Sequence, residues 1–210
     1  MNRLIALLLP IAFMAAGGSA ATSNPAALGK LWTASVQAEK SLDYAGALTH
    51  VASYLQQGGD LFMASLRTGW LQYMLGDYKK AAHAYSKAVE LQPSSVNALL
   101  GVLNTARAQL DPVKAERAAA AVLRVDATNY TALTALAGMY YAAKDYRKAA
   151  SGYRRALVTY PDDPDALSGS AWSSLSNGDK AAALADFTRL LSISPEYAQA
   201  QAGYEKAGGR

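Results

Sequence analysis

The chain contains no cysteine. That absence excludes a disulfide scaffold, a thiolate nucleophile, a cysteine-ligated zinc or iron–sulfur site and a lipid-modified N-terminal cysteine. Histidine is nearly absent too: His50 and His83 are the only two, and they fall at near-equivalent places of different segments, so they cannot converge on one metal. No Gly-rich phosphate loop, dinucleotide fingerprint or nucleophile–base pairing is present, so neither an enzyme nor a cofactor or metal site is expected. Charged residues are sparse at 17%, and only one long apolar run occurs, at the N-terminus. What the 210 residues do have is 51% apolar content, enough to bury a core and to exclude disorder as the main state. Twenty Lys and Arg against sixteen Asp and Glu give +4, but the signs are interleaved, which argues for solubility and against nucleic-acid binding.

The N-terminus stands apart from the fold. Asn2 and Arg3 head an apolar run from Leu4 to Ala16 that is broken only by Pro10, the pattern of a secretory signal. Gly18-Ser19-Ala20 and Ser19-Ala20-Ala21 both satisfy the small-x-small rule for cleavage. The run is shorter than the roughly 20 residues a membrane-spanning helix needs. Residues 1–21 are therefore expected to be a cleaved signal peptide and 22–27 a short linker. Loss of Arg3 then lowers the net charge from +4 to +3. A periplasmic or secreted protein with no integral membrane span after cleavage is the expectation.

From Leu28 the chain divides into five blocks of equal length without an insertion: 28–61, 62–95, 96–129, 130–163 and 164–197. Place sixteen is Asp in every block (Asp43, Asp77, Asp111, Asp145, Asp179) and place twenty is Ala in every block (Ala47, Ala81, Ala115, Ala149, Ala183). The period describes helix, tight turn, helix. Aspartate suits the N-cap of the second helix, where its carboxylate accepts free N–H groups, and Pro112 after Asp111 suits the first helical position. The Ala column marks where two helices cross closely. Val51, Tyr85, Ala119, Tyr153 and Phe187 continue the seam one turn later, and Pro93, Pro161 and Pro195 end the second helices.

Gly76-Asp77-Tyr78, Lys144-Asp145-Tyr146 and the series Ala81, Tyr85, Ala88, Pro93 with its copy Ala149, Tyr153, Ala156, Pro161 resemble the tetratricopeptide repeat, and residues 28–197 share that family's period. Block three departs from the pattern, with Pro112 in place of the usual tyrosine and Ala127 in place of the terminal proline, and block one ends in Gly58-Gly59-Asp60. The resemblance implies an all-α, right-handed α-solenoid of five tandem helix-turn-helix repeats whose first helices line an inner groove. Residues 198–210 are expected to form a capping helix and tail, with Tyr197, Ala200 and Tyr204 on the stripe that covers the last repeat.

Places two, five, nine and twelve of each first helix share one face, and all three tryptophans fall there. The expected partner-binding residues are Trp32, Met63, Leu66, Trp70, Tyr73, Asn97, Asn104, Arg107, Tyr141 and Trp172. Arg107, flanked by Tyr73 and Tyr141 one block to either side, is expected to orient the ligand. Packing against the next block is the competing role for each aromatic. A carboxylate clamp would need lysines where Trp32, Leu66 and Leu100 stand, so a chaperone-tail receptor is not expected. Lys79, Lys80, Lys87, Arg117, Arg124, Arg147, Lys148, Arg154 and Arg155 read as a solvated outer face. The functional expectation is a non-enzymatic scaffold or adaptor of the cell envelope that holds a peptide or helix of a protein partner. By analogy of fold alone, that partner belongs to envelope assembly, secretion or polysaccharide export. The alternatives are a cell-wall or exopolysaccharide glycan in the groove, and a homo-oligomer in which a second copy fills it.

Overall fold

A computed structural model describes residues 24–210, so the apolar N-terminal run and its expected cleavage site lie outside the described residues. Eleven helices follow in order: α1 Pro25–Lys40, α2 Tyr44–Gln56, α3 Leu61–Met74, α4 Tyr78–Leu91, α5 Val96–Ala108, α6 Pro112–Val125, α7 Tyr130–Ala142, α8 Tyr146–Thr159, α9 Pro164–Ser176, α10 Lys180–Ile193 and α11 Ala200–Ala207. Each packs on its neighbour in sequence, and first helices also touch the first helix of the next repeat, which builds an all-α solenoid. Among the described residues no helix is long and apolar enough to cross a membrane.

The second helices start at one fixed interval because the aspartate column caps them. Asp43, Asp77, Asp111, Asp145 and Asp179 each accept the N–H of the residue three further on, at 2.8 to 3.2 Å. Asn24, Asp60, Ser95, Asn129 and Asp163 cap the first helices in the same way. Asn24 takes the N–H groups of Ala26 and Ala27 while Pro25 occupies the first helical position. That cap starts α1 inside the stretch expected to be a linker.

Within every repeat the N–H of the capping aspartate also donates to the carbonyl five residues back, from Asp43 to Ala38 through Asp179 to Ser174, at 2.9 to 3.0 Å. Closing the first helix this way puts the residue before each aspartate in the left-handed conformation. Gly76 and Gly178 fill that place with φ of 76° and 86°, but Leu42, Leu110 and Lys144 hold φ of 61°, 55° and 62°. An L side chain there costs about 1 kcal/mol relative to glycine.

The repeats lock by matched sizes. The rings of Tyr85, Tyr153 and Phe187 enter the space left by Gly101, Gly169 and Gly203 of the following first helix, where a Cβ would come within 2.2, 2.4 and 2.2 Å of a ring atom. In the third repeat the same two places hold Ala119 and Ala135, both buried in one cluster. In the first they hold Val51 and Arg67. The chain end is sealed likewise: α11 starts at Ala200, two residues later than expected, because Gln199 is left-handed at φ 63° and supplies no side-chain cap. Ala200 and Ala207 are buried there, and the Tyr197 hydroxyl donates to Asp165 at 2.6 Å.

Candidate binding groove

One face of the solenoid is lined by the first helices, and three hollows follow one another along it. Trp32, Met63, Leu66, Trp70 and Asn97, joined by Arg67 and Tyr85, bound the first, of about 250 Å³. Arg107, Thr131, Thr134, Gly138, Tyr153 and Asp165 line the second, of about 530 Å³. The third, of about 420 Å³, lies between Tyr141, Tyr153, Gly169, Trp172, Gln199 and Lys206. Tyr85 and Tyr153 belong to second helices, but the glycines opposite them let their rings through to the floor of the groove. Of the remaining expected residues, Tyr73 stacks on Trp70 with ring centroids 6.4 Å apart and planes 14° from parallel. Asn104 is half-buried on α5 between Asn97 and Arg107.

The three indoles have different surroundings. Trp32 is half-buried, with the Tyr54 ring at 5.3 Å and the Arg67 guanidinium 5.5 Å above its own ring. Trp172 stands edge-on to Phe187 at 5.2 Å, with the Lys206 ammonium 5.6 Å above it. Trp70 is 42% exposed, yet its position is held: Nε1 donates to Glu39 Oε1 at 2.6 Å. The other oxygen of Glu39 takes Arg67 Nη1 at 2.8 Å, and Arg67 Nε donates to Ser35 Oγ at 2.7 Å.

The Arg67 side chain is only 11% exposed, and its Nη2 is buried with no hydrogen-bond partner among the described residues. A guanidinium survives there because Glu39, Ser35 and the face of Trp32 compensate its desolvation. Sequence reasoning missed Arg67, although a signal existed. It stands at place six, where the later blocks carry Gly101, Ala135 and Gly169, and it follows the block whose seam residue is Val51, not an aromatic.

Arg107 does not lie over Tyr73 or Tyr141. Among the described residues the cation–ring pairs are Arg67 with Trp32, Lys148 with Tyr140 and Lys206 with Trp172. Tyr73 and Tyr141 turn to Tyr78 and Tyr146, each at 5.3 Å. Arg107 instead faces the middle hollow, where burial pushes the Tyr153 phenol up and the Arg107 charge pulls it partly back. It makes no ion pair among the described residues. It therefore remains available to an incoming acceptor. His50 and His83 sit on α2 and α4, and among the described residues no three His, Asp or Glu gather as metal ligands.

Helix pairs repeated at a constant interval, with an Asp cap and a small-residue crossing, define a helical repeat scaffold. Family models of the tetratricopeptide repeat match residues 64–95, 103–164 and 140–199, together more than half of the chain, which belongs to that family. Over 100 residues, 46% of its length, the chain is 32% identical to a putative cytochrome c-type biogenesis protein CcmH of Haemophilus influenzae, of which the match spans 22%. Among solved structures, a tetratricopeptide repeat protein from Parabacteroides merdae superposes with a TM-score of 0.75 at 16% identity, over 87% of this chain and 72% of that one. MamA from Desulfovibrio magneticus gives 0.71 at 15%, over 82% and 97%. YrrB, a tetratricopeptide repeat protein with an unusual peptide-binding site, gives 0.69 at 13%, over 83% and 90%. At such identities the likeness establishes the fold.

Proposed function

We propose that this protein is a non-enzymatic adaptor of the cell envelope whose first-helix face holds an extended or helical segment of a partner protein. The observation that carries the reading is an exposed indole fixed in place. Trp70 and its stacked Tyr73 present apolar area, while Glu39, Arg67 and Ser35 hold Trp70 before any ligand arrives. An aromatic anchor ordered in advance loses little entropy on binding, which is how hot spots gain their affinity. Apolar burial at Trp70, Met63 and Leu66 supplies the affinity, and Arg107, facing its hollow without a partner among the described residues, takes a backbone carbonyl or carboxylate and sets direction.

Two comparisons support the reading. YrrB shows that a neighbour in fold has a peptide-binding site, and the partial relative is named as a putative cytochrome c-type biogenesis protein. The signal pattern of residues 1–21 points to a periplasmic or secreted location, and hence to a partner in envelope assembly, secretion or polysaccharide export. A stacked sugar ring is disfavoured, because Trp32 and Trp172 already carry Arg67 and Lys206 over their rings. The test is crosslinked affinity isolation from the native envelope fraction, with Trp70→Ala/Tyr73→Ala alongside. A partner captured by the natural chain and lost in a variant of unchanged helical circular dichroism supports the adaptor. Recovery of the protein alone in both samples overturns it in favour of self-association.

A further inference from the structure

The edge of the solenoid formed by the turns inside each repeat carries an unusual pair of residues. The place before each capping aspartate must be left-handed, and glycine meets that need in repeats two and five. Repeats one and three place Leu42 and Leu110 there instead, in the less favourable backbone region and with 72% and 87% of their surface in water. Nothing in the fold gains from either choice, since neither side chain joins a core cluster. Between them, one residue ahead of the same place in repeat two, Leu75 is also exposed and shares a hollow of about 850 Å³ with Lys79, Asp111 and Lys114. Repeat four continues the row with Lys144.

The charge beside this row is net positive, although Asp43, next to Leu42, is exposed and makes no ion pair among the described residues. Asp77, Asp111 and Asp145 are each paired with the lysine three residues on. Lys40, Lys79, Lys144 and Arg147 stand exposed on the same edge and make no ion pair among the described residues. Aliphatic tips on turns, flanked by lysine, differ from a protein–protein hot spot, which favours aromatic residues and excludes lysine. They suit an anionic bilayer surface, where apolar tips enter the headgroup boundary and cations meet lipid phosphates. We propose that the turn edge of repeats one to four docks on an anionic membrane surface, with Leu42, Leu75 and Leu110 inserting and Lys79, Lys144 and Arg147 facing the lipid phosphates. The edge borders the end of the groove at Tyr73, whose ring packs on Tyr78 of the same hollow.

The left-handed turn supplies a clean test. Leu42→Gly/Leu110→Gly removes two tips while giving both turns their preferred residue, so the fold is expected to hold or gain thermal stability. The chain from Asn24 to Arg210 carries every helix and core cluster described, and its use keeps the apolar N-terminal run out of the assay. It is floated with vesicles of one part phosphatidylglycerol to two parts phosphatidylcholine, and with vesicles of phosphatidylcholine alone. The natural sequence is expected to bind the anionic vesicles, to bind neutral ones poorly, and to lose binding in high salt. The double glycine variant is expected to partition roughly tenfold less. Equal flotation of variant and natural chain, no preference for anionic lipid, or no flotation at all overturns the proposal. So does a leucine-dependent dimer on gel filtration, which would assign the edge to a second copy of the chain.

Discussion

Adding one methyl group at three helical glycines should give opposite results, and the sign is readable from the structure. In a helix interior, alanine is favoured over glycine by about 1 kcal/mol. At Gly138 the nearest atom to an added Cβ is the Tyr153 hydroxyl at 3.5 Å, an ordinary contact, so Gly138→Ala should stabilise by up to about 1 kcal/mol. At Gly101 the added Cβ would lie 2.2 to 2.6 Å from three atoms of the Tyr85 ring, including the carbon that anchors it. That ring has little room to yield, because it is buried and also packs on Gly69, whose own Cβ position is 2.8 Å away. Overpacking of this kind costs about 1–3 kcal/mol, and contacts as short as 2.2 Å place Gly101 toward the upper end, so against a helix-propensity gain of about 1 kcal/mol Gly101→Ala should be destabilised by up to about 2 kcal/mol. Gly169→Ala against Tyr153 should behave like Gly101→Ala. Urea unfolding followed by far-ultraviolet circular dichroism reads the order directly: Gly138→Ala above the natural chain, the other two below it. Equal midpoints for Gly101→Ala and Gly138→Ala would refute the size-matched lock between repeats.

Glu39→Ala removes the counter-charge of a nearly buried Arg67 and should destabilise by about 2–4 kcal/mol, whereas Lys80→Ala at the exposed Asp77 pair should stay within about 0.5 kcal/mol; thermal unfolding of both variants checks the contrast. Asp111→Ala should lose about 1 kcal/mol of capping, measured by the same unfolding series. The carboxyls of Asp77, Asp111 and Asp145 are held below the usual aspartate range by hydrogen bonds from Lys80, Lys114 and Lys148. Their stabilisation is therefore complete above the unfolded value of about 3.9 and is lost as pH falls through the lower folded values, which an acid titration of the helical signal tests. Burial works the other way on Asp186, raising its pKa despite the Ser170 hydroxyl that donates to it at 2.6 Å. Asp186→Asn should then be at least as stable as the natural chain at neutral pH, and the difference should vanish as the pH is lowered until Asp186 is protonated.

The architecture was legible because a repeat writes each physical requirement several times. An aspartate that caps one helix is ambiguous; five of them at one spacing are not, and all five accept the expected N–H. Elements that occur once were harder to read. The cap at Asn24 and the left-handed Gln199, which set where α1 and α11 begin, depend on local hydrogen bonding that no column repeats. The groove was legible by position and less so by contact. Place counting put Trp32, Trp70, Arg107 and Trp172 along the lined face, but the partners of each indole come from other helices. Whether a tryptophan meets water or a ring depends on those neighbours. Arg107 faces the hollow floored by Tyr153, a ring from a second helix that a count of first-helix places does not include.

Arg67 links the packing of the repeats to the accessible indole. Wherever the seam residue is aromatic, the following first helix yields with glycine, and the repeats are joined by an apolar lock. Between repeats one and two the seam residue is Val51, too small to reach the groove floor, and the place that holds Gly101, Ala135 and Gly169 in later repeats carries a guanidinium. An ion pair this buried is a weak source of stability compared with a well-packed ring, since both charges must first be desolvated. What it provides is geometry: Arg67 orients Glu39, and Glu39 fixes the indole of Trp70 at the most accessible aromatic position of the groove. Restoring the lock with Val51→Tyr/Arg67→Gly should then preserve the solenoid but free the Trp70 side chain. Time-resolved tryptophan anisotropy of that variant should show faster local motion, in a background where Trp32 and Trp172 are replaced by phenylalanine. If Trp70 is equally rigid without Arg67, the network is only a packing solution, and the pre-ordered anchor loses its physical basis.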